Sequence, residues 1–114
     1  MSTGSICAPA ANHIKENLMT KDKFLMLARN WFSECVRILD KKNQDYADPK
    51  DALSNFRDFG SFGVVVRMGD KWNRIKNITK NQKVAVTDES VEDSLLDMIN
   101  YCVICLIMMV NDNE

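Results

Sequence analysis

The chain of 114 residues carries 15 basic and 16 acidic side chains, so its formal net charge of -1 provides no overall attraction to nucleic acid or anionic lipid. Hydrophobic residues make up 46% of the sequence and charged residues 27%, a balance typical of one globular domain with a modest core. Four glycines and two prolines are few, and alternating β-branched residues are missing, so the composition favours an all-α fold over a sheet.

The beginning of the chain predicts a loosely structured arm over residues 1–19, because apolar periodicity is weak there and Gly4 and Pro9 interrupt it. A single all-α domain is expected over residues 20–114. No charged segment followed by an apolar core resembles a signal peptide. The longest apolar run, residues 101–110, is shorter than the roughly 18 to 20 residues that span a bilayer. We therefore expect a cytoplasmic protein that binds neither membrane nor nucleic acid.

A first helix is predicted from about Lys21 to Lys42, with Thr20 as its N-cap. Its apolar residues recur at spacings of three and four, which predicts a wide stripe facing a core. The stripe consists of Phe24, Leu27, Ala28, Trp31, Phe32, Cys35, Ile38 and Leu39. Lys42 projects onto the same side, where either its stem covers apolar surface or its ammonium group reaches a partner.

A polar turn is predicted over residues 41–48, followed by a short helix. Asp48 and Pro49 suit the N-cap and the first position of that helix, which runs to about Arg57. Gly60 and Gly63 predict a bend. Beyond the bend we expect a longer helix over about residues 62–80.

The predicted helix over residues 62–80 has a charged arc beside its apolar side. The apolar side consists of Val64, Met68, Trp72 and Ile75, and the arc of Arg67, Asp70, Lys71 and Arg74. Charges three or four residues apart could form ordinary helix ion pairs. Three cations around one acid also suit the binding of phosphate oxygens. The sequence leaves both interpretations open.

The last predicted helix begins near Glu89 with acidic residues and is apolar beyond Leu95. Glu89, Asp93 and Asp97 share one side, with Glu92 beside them. First-turn acids suit the helix dipole, but Asp97 lies about two turns in. Carboxylates stacked this closely repel one another unless a cation or a basic partner lies between them. The stripe of Glu89, Asp93 and Asp97 is therefore either a functional acidic cluster or a solvated helix face. Because the rest of this helix is apolar almost all round, it must either be central in the bundle or pack against a second subunit. We therefore expect a homodimer or a higher homo-oligomer.

Folding these helices into a bundle is expected to bring carboxylates close to cations. The carboxylates are Asp45, Asp70, Glu89, Asp93 and Asp97, and the cations are Lys42, Arg67, Lys71 and Arg74. Such a set suits Mg²⁺ and a polyphosphate, because Mg²⁺ takes one or two carboxylates plus phosphate oxygens and the cations stabilise the remaining charge. His13 is the only histidine and lies in the predicted arm, so no serine or cysteine nucleophile has a histidine to activate it. Metal-activated water is therefore the favoured chemistry.

Four motifs occur in the order Lys42-Asn43-Gln44-Asp45-Tyr46, Asn55-Phe56 with Phe59-Gly60, Arg67-Met68-Gly69-Asp70-Lys71-Trp72-Asn73-Arg74, and Asp88-Glu89-Ser90-Val91-Glu92-Asp93-Ser94-Leu95-Leu96-Asp97 with Tyr101. As a set they resemble the nucleotide modification associated domain 1 family. That family is common in phages and is similar to the all-α NTP pyrophosphohydrolases of the MazG and dimeric dUTPase type. The resemblance covers about residues 24–110.

The resemblance implies an oligomeric four- to five-helix bundle that binds an NTP or dNTP with Mg²⁺. The catalytic residues it implies are Asp70, Glu89 and Asp93. The metal ligands it implies are Asp70, Glu89, Glu92, Asp93 and Asp97. The nucleotide-binding residues it implies are Lys42, Asn43, Asp45, Tyr46, Arg67, Lys71 and Arg74.

Three functions follow as hypotheses. The first is a Mg²⁺-dependent nucleotide pyrophosphohydrolase in phage nucleotide metabolism or modification, acting in the host cytoplasm. The second is a non-catalytic module that binds or sequesters a nucleotide, because MazG-type enzymes carry ExxE on the first metal-binding helix and this chain has only Asp70 there. The third is a helical adaptor that dimerises through residues 101–110, which leaves the charged arc unexplained.

Overall fold

The computed structural model describes residues 17–81 and 89–112, and the side chains of residues 17–80 and 91–111. The helices are α1 (Lys21–Tyr46), α2 (Ser54–Arg57), α3 (Gly60–Asn81) and α4 (Glu89–Asp112). Within these ranges the only β-structure is an isolated bridge between Asp48 and Asp51. The predicted all-α fold is therefore confirmed for the described chain. Most of the predicted arm and the residues just before α4 lie outside the described residues, and the boundary at residue 20 stays a prediction.

Helix α1 begins after Thr20, whose Oγ1 accepts a hydrogen bond from the backbone N–H of Lys23 at 3.1 Å. This confirms the predicted N-cap. The helix continues to Tyr46, a full turn beyond the predicted end at Lys42. The predicted turn over residues 41–48 is therefore wrong for most of its length. Polar residues alone do not end a helix, and no glycine or proline intervenes before residue 49.

The contacts divide the chain into two units, residues 1–32 and 33–114, and the division falls within α1. In the described part of the first unit the large apolar side chains are mostly exposed. They are Leu18, Met19, Phe24, Met26, Trp31 and Phe32, between 48% and 68% exposed. The prediction that Phe24, Trp31 and Phe32 face a core is therefore wrong for the single chain. An amphipathic pattern shows that a face is apolar, but it does not specify what covers it.

In the second unit, residues 49–53 form turns where a helix was predicted. The backbone N–H of Lys50 donates to Asp48 Oδ1 at 2.8 Å, and that of Leu53 donates to Asp51 Oδ1 at 3.1 Å. Asp48 therefore closes a turn and does not cap the helix, which is confined to α2. Aspartate side chains commonly compete with helix formation in this way, by binding backbone N–H groups two residues ahead.

The bend between α2 and α3 depends on two glycines. Gly60 has a φ of 70°, in the left-handed region that glycine adopts without a steric penalty. A Cβ atom on Gly63 would collide with Cβ of Phe59, so the close approach there also requires glycine. The predicted bend is confirmed, and α3 continues from it to Asn81.

The core of the second unit forms where α3 and α4 pack along each other. Val64, Ile104 and Met108 are at most 4% exposed and form its centre. The half-buried side chains packed against them are Leu39, Leu53, Phe56, Tyr101 and Cys105. The end of α1, the turn and α2 therefore all contact the pair formed by α3 and α4.

The apolar side predicted for α3 is only partly buried. Val64 and Ile75 are buried, whereas Trp72 is 50% exposed, so the core covers this side of α3 only in part. The Nζ atom of Lys76 lies 5.7 Å from the centroid of the indole ring of Trp72, within cation–π range. A helical wheel gives the direction of each side chain but not how far the partner helix extends over it.

Helix α4 is buried over part of its surface and exposed over the rest. The buried residues are Val91, Ser94, Leu96, Asn100, Ile104 and Met108. The exposed apolar residues are Leu95, Leu106, Ile107, Met109 and Val110, between 43% and 62% exposed. Residues Val91–Asn111 are long and apolar enough to cross a membrane, although core helices of soluble proteins meet the same criterion. The predicted contact of α4 with a second subunit stays a prediction.

The burial pattern of α4 can be tested with two isoleucines. Ile104 is 4% exposed, so Ile104→Ala leaves a cavity, and we expect the free energy of unfolding to fall by about 2–5 kcal/mol. The matched control Ile107→Ala, at a position that is 47% exposed, should change it by less than about 0.5 kcal/mol in dilute protein. Urea unfolding followed by circular dichroism measures both, and equal losses at dilution would contradict the burial pattern.

Candidate functional site

Asp97 is at the centre of a charge cluster that joins the three long helices. Its Oδ1 accepts a hydrogen bond from Nζ of Lys42, and its Oδ2 accepts one from Nζ of Lys71, each at 2.9 Å. Lys42 belongs to α1, Lys71 to α3 and Asp97 to α4. The Asp97 side chain is only 16% exposed. One half-buried carboxylate therefore links three helices through two charge-assisted hydrogen bonds.

Asp97 and Lys42 stabilise each other in their charged forms. Burial raises the pKa of Asp97, but the hydrogen bonds from Lys71 and Lys42 outweigh burial and hold that pKa below its ordinary value. Burial likewise lowers the pKa of Lys42, but the hydrogen bond to Asp97, together with the charges of Asp97, Tyr101 and Tyr46, outweighs burial, so this pKa lies above its ordinary value. The pair therefore remains ionised at neutral pH.

A cavity of about 560 Å³ adjoins this cluster. Its volume lies within the range of roughly 300–1,000 Å³ that is usual for small-molecule and cofactor sites. Its lining residues are Leu39, Lys42, Asn43, Tyr46, Asn55, Phe56, Arg67, Asp97, Asn100, Tyr101 and Ile104. Cationic groups, side-chain amides and aromatic rings therefore share one cavity.

The last turn of α1 supplies Lys42, Asn43 and Tyr46 to the cavity. These residues lie on one side of the helix because residues four apart are neighbours on its surface. The Nδ2 atom of Asn43 donates a hydrogen bond to the carbonyl oxygen of Ala52 at 2.7 Å, which fastens the turn over residues 48–53 to α1. Tyr46 is 69% exposed, so its ring is accessible to a ligand.

Arg67 brings a second cation to the cavity from α3. Its Cζ atom lies 5.6 Å from the centroid of the Phe59 ring. Among the described side chains, Asp70 makes no ion pair with Arg67 or Arg74, so the alternative of helix ion pairs does not explain the charged arc. Arg67 and Lys71 are instead directed to the cavity and to Asp97.

Several cavity residues were not predicted as site residues. Asn55, Phe56 and Tyr101 belong to the motifs that carry the resemblance, and that was the available signal for them. Asn100 could have been noticed as an amide within an apolar helix. It is 6% exposed, and its Nδ2 donates to the carbonyl oxygen of Cys35 at 3.1 Å. Asn55 Oδ1 is buried and accepts no hydrogen bond from any described group.

Five predicted site residues are exposed and do not line the cavity. They are Asp45, Asp70, Arg74, Glu92 and Asp93. Glu89 is the first residue of α4, and its side chain lies outside the described side chains. The predicted nucleotide-binding roles of Asp45 and Arg74, and the predicted catalytic and metal-binding roles of the four other acids, stay predictions.

The Asp97 cluster in this arrangement does not fit a Mg²⁺ site. Mg²⁺ requires carboxylate oxygens that are free to coordinate it, and both oxygens of Asp97 accept hydrogen bonds from ammonium groups. Within the described residues no three acidic, histidine or cysteine side chains come close enough to hold a metal ion. The stripe of Glu89, Asp93 and Asp97 is therefore not a cluster of three free carboxylates, because Asp97 is paired with lysines.

The pairing of Asp97 predicts a specific pH dependence of stability. Because its pKa is lowered on folding, its contribution is present above the ordinary aspartate pKa of 3.8 and is lost as the pH falls through the folded-state pKa. At neutral pH we expect Asp97→Asn to lower the free energy of unfolding by about 1–2 kcal/mol, less than for a fully buried pair because Lys42 is half exposed. Urea unfolding from pH 7 to pH 3 measures the difference, and a difference that does not shrink below about pH 4 would contradict the pairing.

Comparison with known proteins agrees with the motifs. The nucleotide modification associated domain 1 family matches residues 42–109, more than half of the chain. The match includes every cavity-lining residue except Leu39. No curated protein and no solved structure matches the chain, so the similarity to MazG-type enzymes stays a prediction. The extent of the family match confirms the predicted family, and the chain belongs to the nucleotide modification associated domain 1 family.

Proposed function

We propose that the chain binds a nucleotide in the cavity beside Asp97. The observation that carries the proposal is the grouping of cations, amides and aromatic rings around one cavity of about 560 Å³. Membership of a family described as nucleotide modification associated supports the same ligand class. A nucleotide combines anionic phosphates, a polar sugar and a flat base, and the cavity offers a matching group for each.

The phosphates would lie at the cationic side of the cavity. Lys42 and Arg67 line it, and Lys71 is joined to it through Asp97. Three cations against one carboxylate leave this region positively charged. Each ammonium group has three N–H donors and gives one to Asp97, so donors remain for phosphate oxygens.

The base and sugar would lie against the aromatic and amide residues. Tyr46, Phe56 and Tyr101 provide ring surfaces, on which a base can stack. Asn55 lies beside them, and its unsatisfied Oδ1 would gain a partner if the side chain turned to accept a hydrogen bond from the ligand. The cavity thus combines groups that can bind an anion with ring surfaces that suit a base.

Two cation substitutions with a neighbouring control test this proposal. Lys42→Met and Arg67→Met each remove one charge from the cavity, so we expect each to weaken the binding of a triphosphate nucleotide about tenfold. Lys41→Met makes the same change at an exposed position that does not line the cavity, and it should leave the affinity unchanged. Isothermal titration calorimetry with NTPs, dNTPs and NMPs, with and without Mg²⁺, measures the affinities.

The titration also has an outcome that contradicts the proposal. The proposal would be contradicted if the wild-type protein bound no nucleotide either with or without Mg²⁺. Equal weakening by Lys41→Met and Lys42→Met would exclude the cavity as the binding site, because a general loss of charge would then account for the effect.

A Mg²⁺-dependent pyrophosphohydrolase is the second candidate function. It is supported by the packing of α3 along α4, since Asp70 belongs to α3 and Glu89, Glu92 and Asp93 to the first turns of α4. The enzyme would convert an NTP or dNTP to its monophosphate and pyrophosphate. Asp97 would have to leave its two lysines before it could serve as a further metal ligand.

Conservative substitutions of three acids separate hydrolysis from binding. If the chain is an enzyme, Asp70→Asn, Glu89→Gln and Asp93→Asn should each abolish turnover and leave the fold intact, because each variant keeps the shape of the side chain and removes the charge that catalysis requires. Asp40→Asn, at an exposed position away from the cavity, is the control. Chromatography of the nucleotide products measures turnover. Wild-type turnover in all three variants would refute the assignment, and binding without any product would support the non-catalytic module.

Assembly into a cytoplasmic homo-oligomer is also part of the proposal. It is supported by the exposed apolar residues of the second unit, which include Phe62 at 76% and Val110 at 62% exposure. Large apolar side chains exposed in this number are typical of proteins that form interfaces. If α4 lies in such an interface, Ile107→Ala loses stability in concentrated protein although it is neutral at dilution. A purely structural adaptor would use this surface alone and would bind no nucleotide.

A further inference from the structure

The pairing of one carboxylate with two ammonium groups from different helices resembles an anion site that the protein fills itself. Both oxygens of Asp97 are used, one by Lys42 and one by Lys71, at equal distances of 2.9 Å. The site borders the cavity because Lys42 and Asp97 both line it. A ligand that enters the cavity therefore meets an arrangement in which the cations are already bound to an internal anion.

We propose that Asp97 holds the place of a phosphate group, and that a ligand with two or more linked phosphates takes over Lys42 and Lys71 from it. This inference rests on the proposed binding of a nucleotide in the same cavity. In the free protein, Asp97 prevents the two ammonium groups from repelling each other. In the complex, phosphate oxygens take that role and the carboxylate turns away from them.

Competition with Asp97 sets a requirement on the ligand. Asp97 presents two oxygens and one negative charge to the two lysines, so a competing ligand must offer more of both. A diphosphate or triphosphate group carries several charged oxygens spread over linked phosphates and can reach both ammonium groups. A monophosphate has fewer charged oxygens with which to replace the two hydrogen bonds of Asp97. Asp97 therefore makes the site selective for nucleoside diphosphates and triphosphates over monophosphates.

The charge of Asp97 also has opposite effects on the free protein and on the complex. In the free protein it stabilises the two lysines, but beside a bound polyphosphate it repels the ligand. Removing the charge should therefore destabilise the free protein and tighten polyphosphate binding. A residue that only positions the lysines would weaken binding when it is replaced, so the direction of the change in affinity distinguishes the two roles.

The test is calorimetric titration of the full chain with inorganic pyrophosphate and with inorganic phosphate in EDTA. We expect Asp97→Asn to bind pyrophosphate about tenfold more tightly than the wild type, because the variant keeps the shape of the side chain and loses its charge. Asp40→Asn removes the same charge from an exposed position of α1 that does not line the cavity, and it should bind as the wild type does. EDTA excludes any contribution from a bound metal.

Equal or weaker binding of pyrophosphate by Asp97→Asn, with a wild type that binds nucleotide, would overturn this inference and leave the proposed function intact. A wild type that binds neither nucleotide nor pyrophosphate would overturn both. If Asp97→Asn does not fold, carboxyl ¹³C NMR of the wild type decides the question. Pyrophosphate should then shift the Asp97 signal and not that of Asp40, and an unchanged Asp97 signal would refute the exchange.

Discussion

The two hydrogen bonds that Asp97 accepts are the constraint on which the rest of the site depends. A carboxylate that is only 16% exposed requires cationic partners, because an unpaired charge at that depth would be costly. Its partners come from α1 and α3, so the pairing fixes how the end of α1 and the middle of α3 lie against α4. The same interaction gathers positive charge at the edge of the cavity. One ion-paired residue therefore serves both the packing of the helices and the electrostatics of the site.

Part of the cavity wall depends on turns that form where a helix was predicted. Asp48 and Asp51 bind backbone N–H groups, and the chain therefore folds back on α1 before α2 begins. The hydrogen bond from Asn43 to Ala52 fastens that turn. Asn55 and Phe56 then reach the cavity from α2. A continuous helix from residue 49 would have placed these two side chains differently, so the turn is part of the site.

Different residues of helix α4 line the cavity and form the exposed apolar surface. Asp97, Asn100, Tyr101 and Ile104 line the cavity. Leu95, Leu106 and Val110 lie outside that arc of the helical wheel and are exposed. A subunit that covered the exposed side would leave the cavity accessible. The nearly uniform apolar character of α4 suits a helix that packs both against the core of its own chain and against a second subunit.

Features that depend on neighbouring residues could be predicted from the sequence. The all-α class, the Thr20 cap, the bend at Gly60 and the family all follow from local pattern, as does the choice of Lys42, Arg67 and Lys71 as candidate binding residues. Three other features required the folded structure: the end of α1, the anion that Lys42 contacts, and the position of Asn100 in the cavity wall. Lys42 and Asp97 are 55 positions apart, and periodicity gives the direction of a side chain but not its partner. That partner is set by how α1, α3 and α4 pack together.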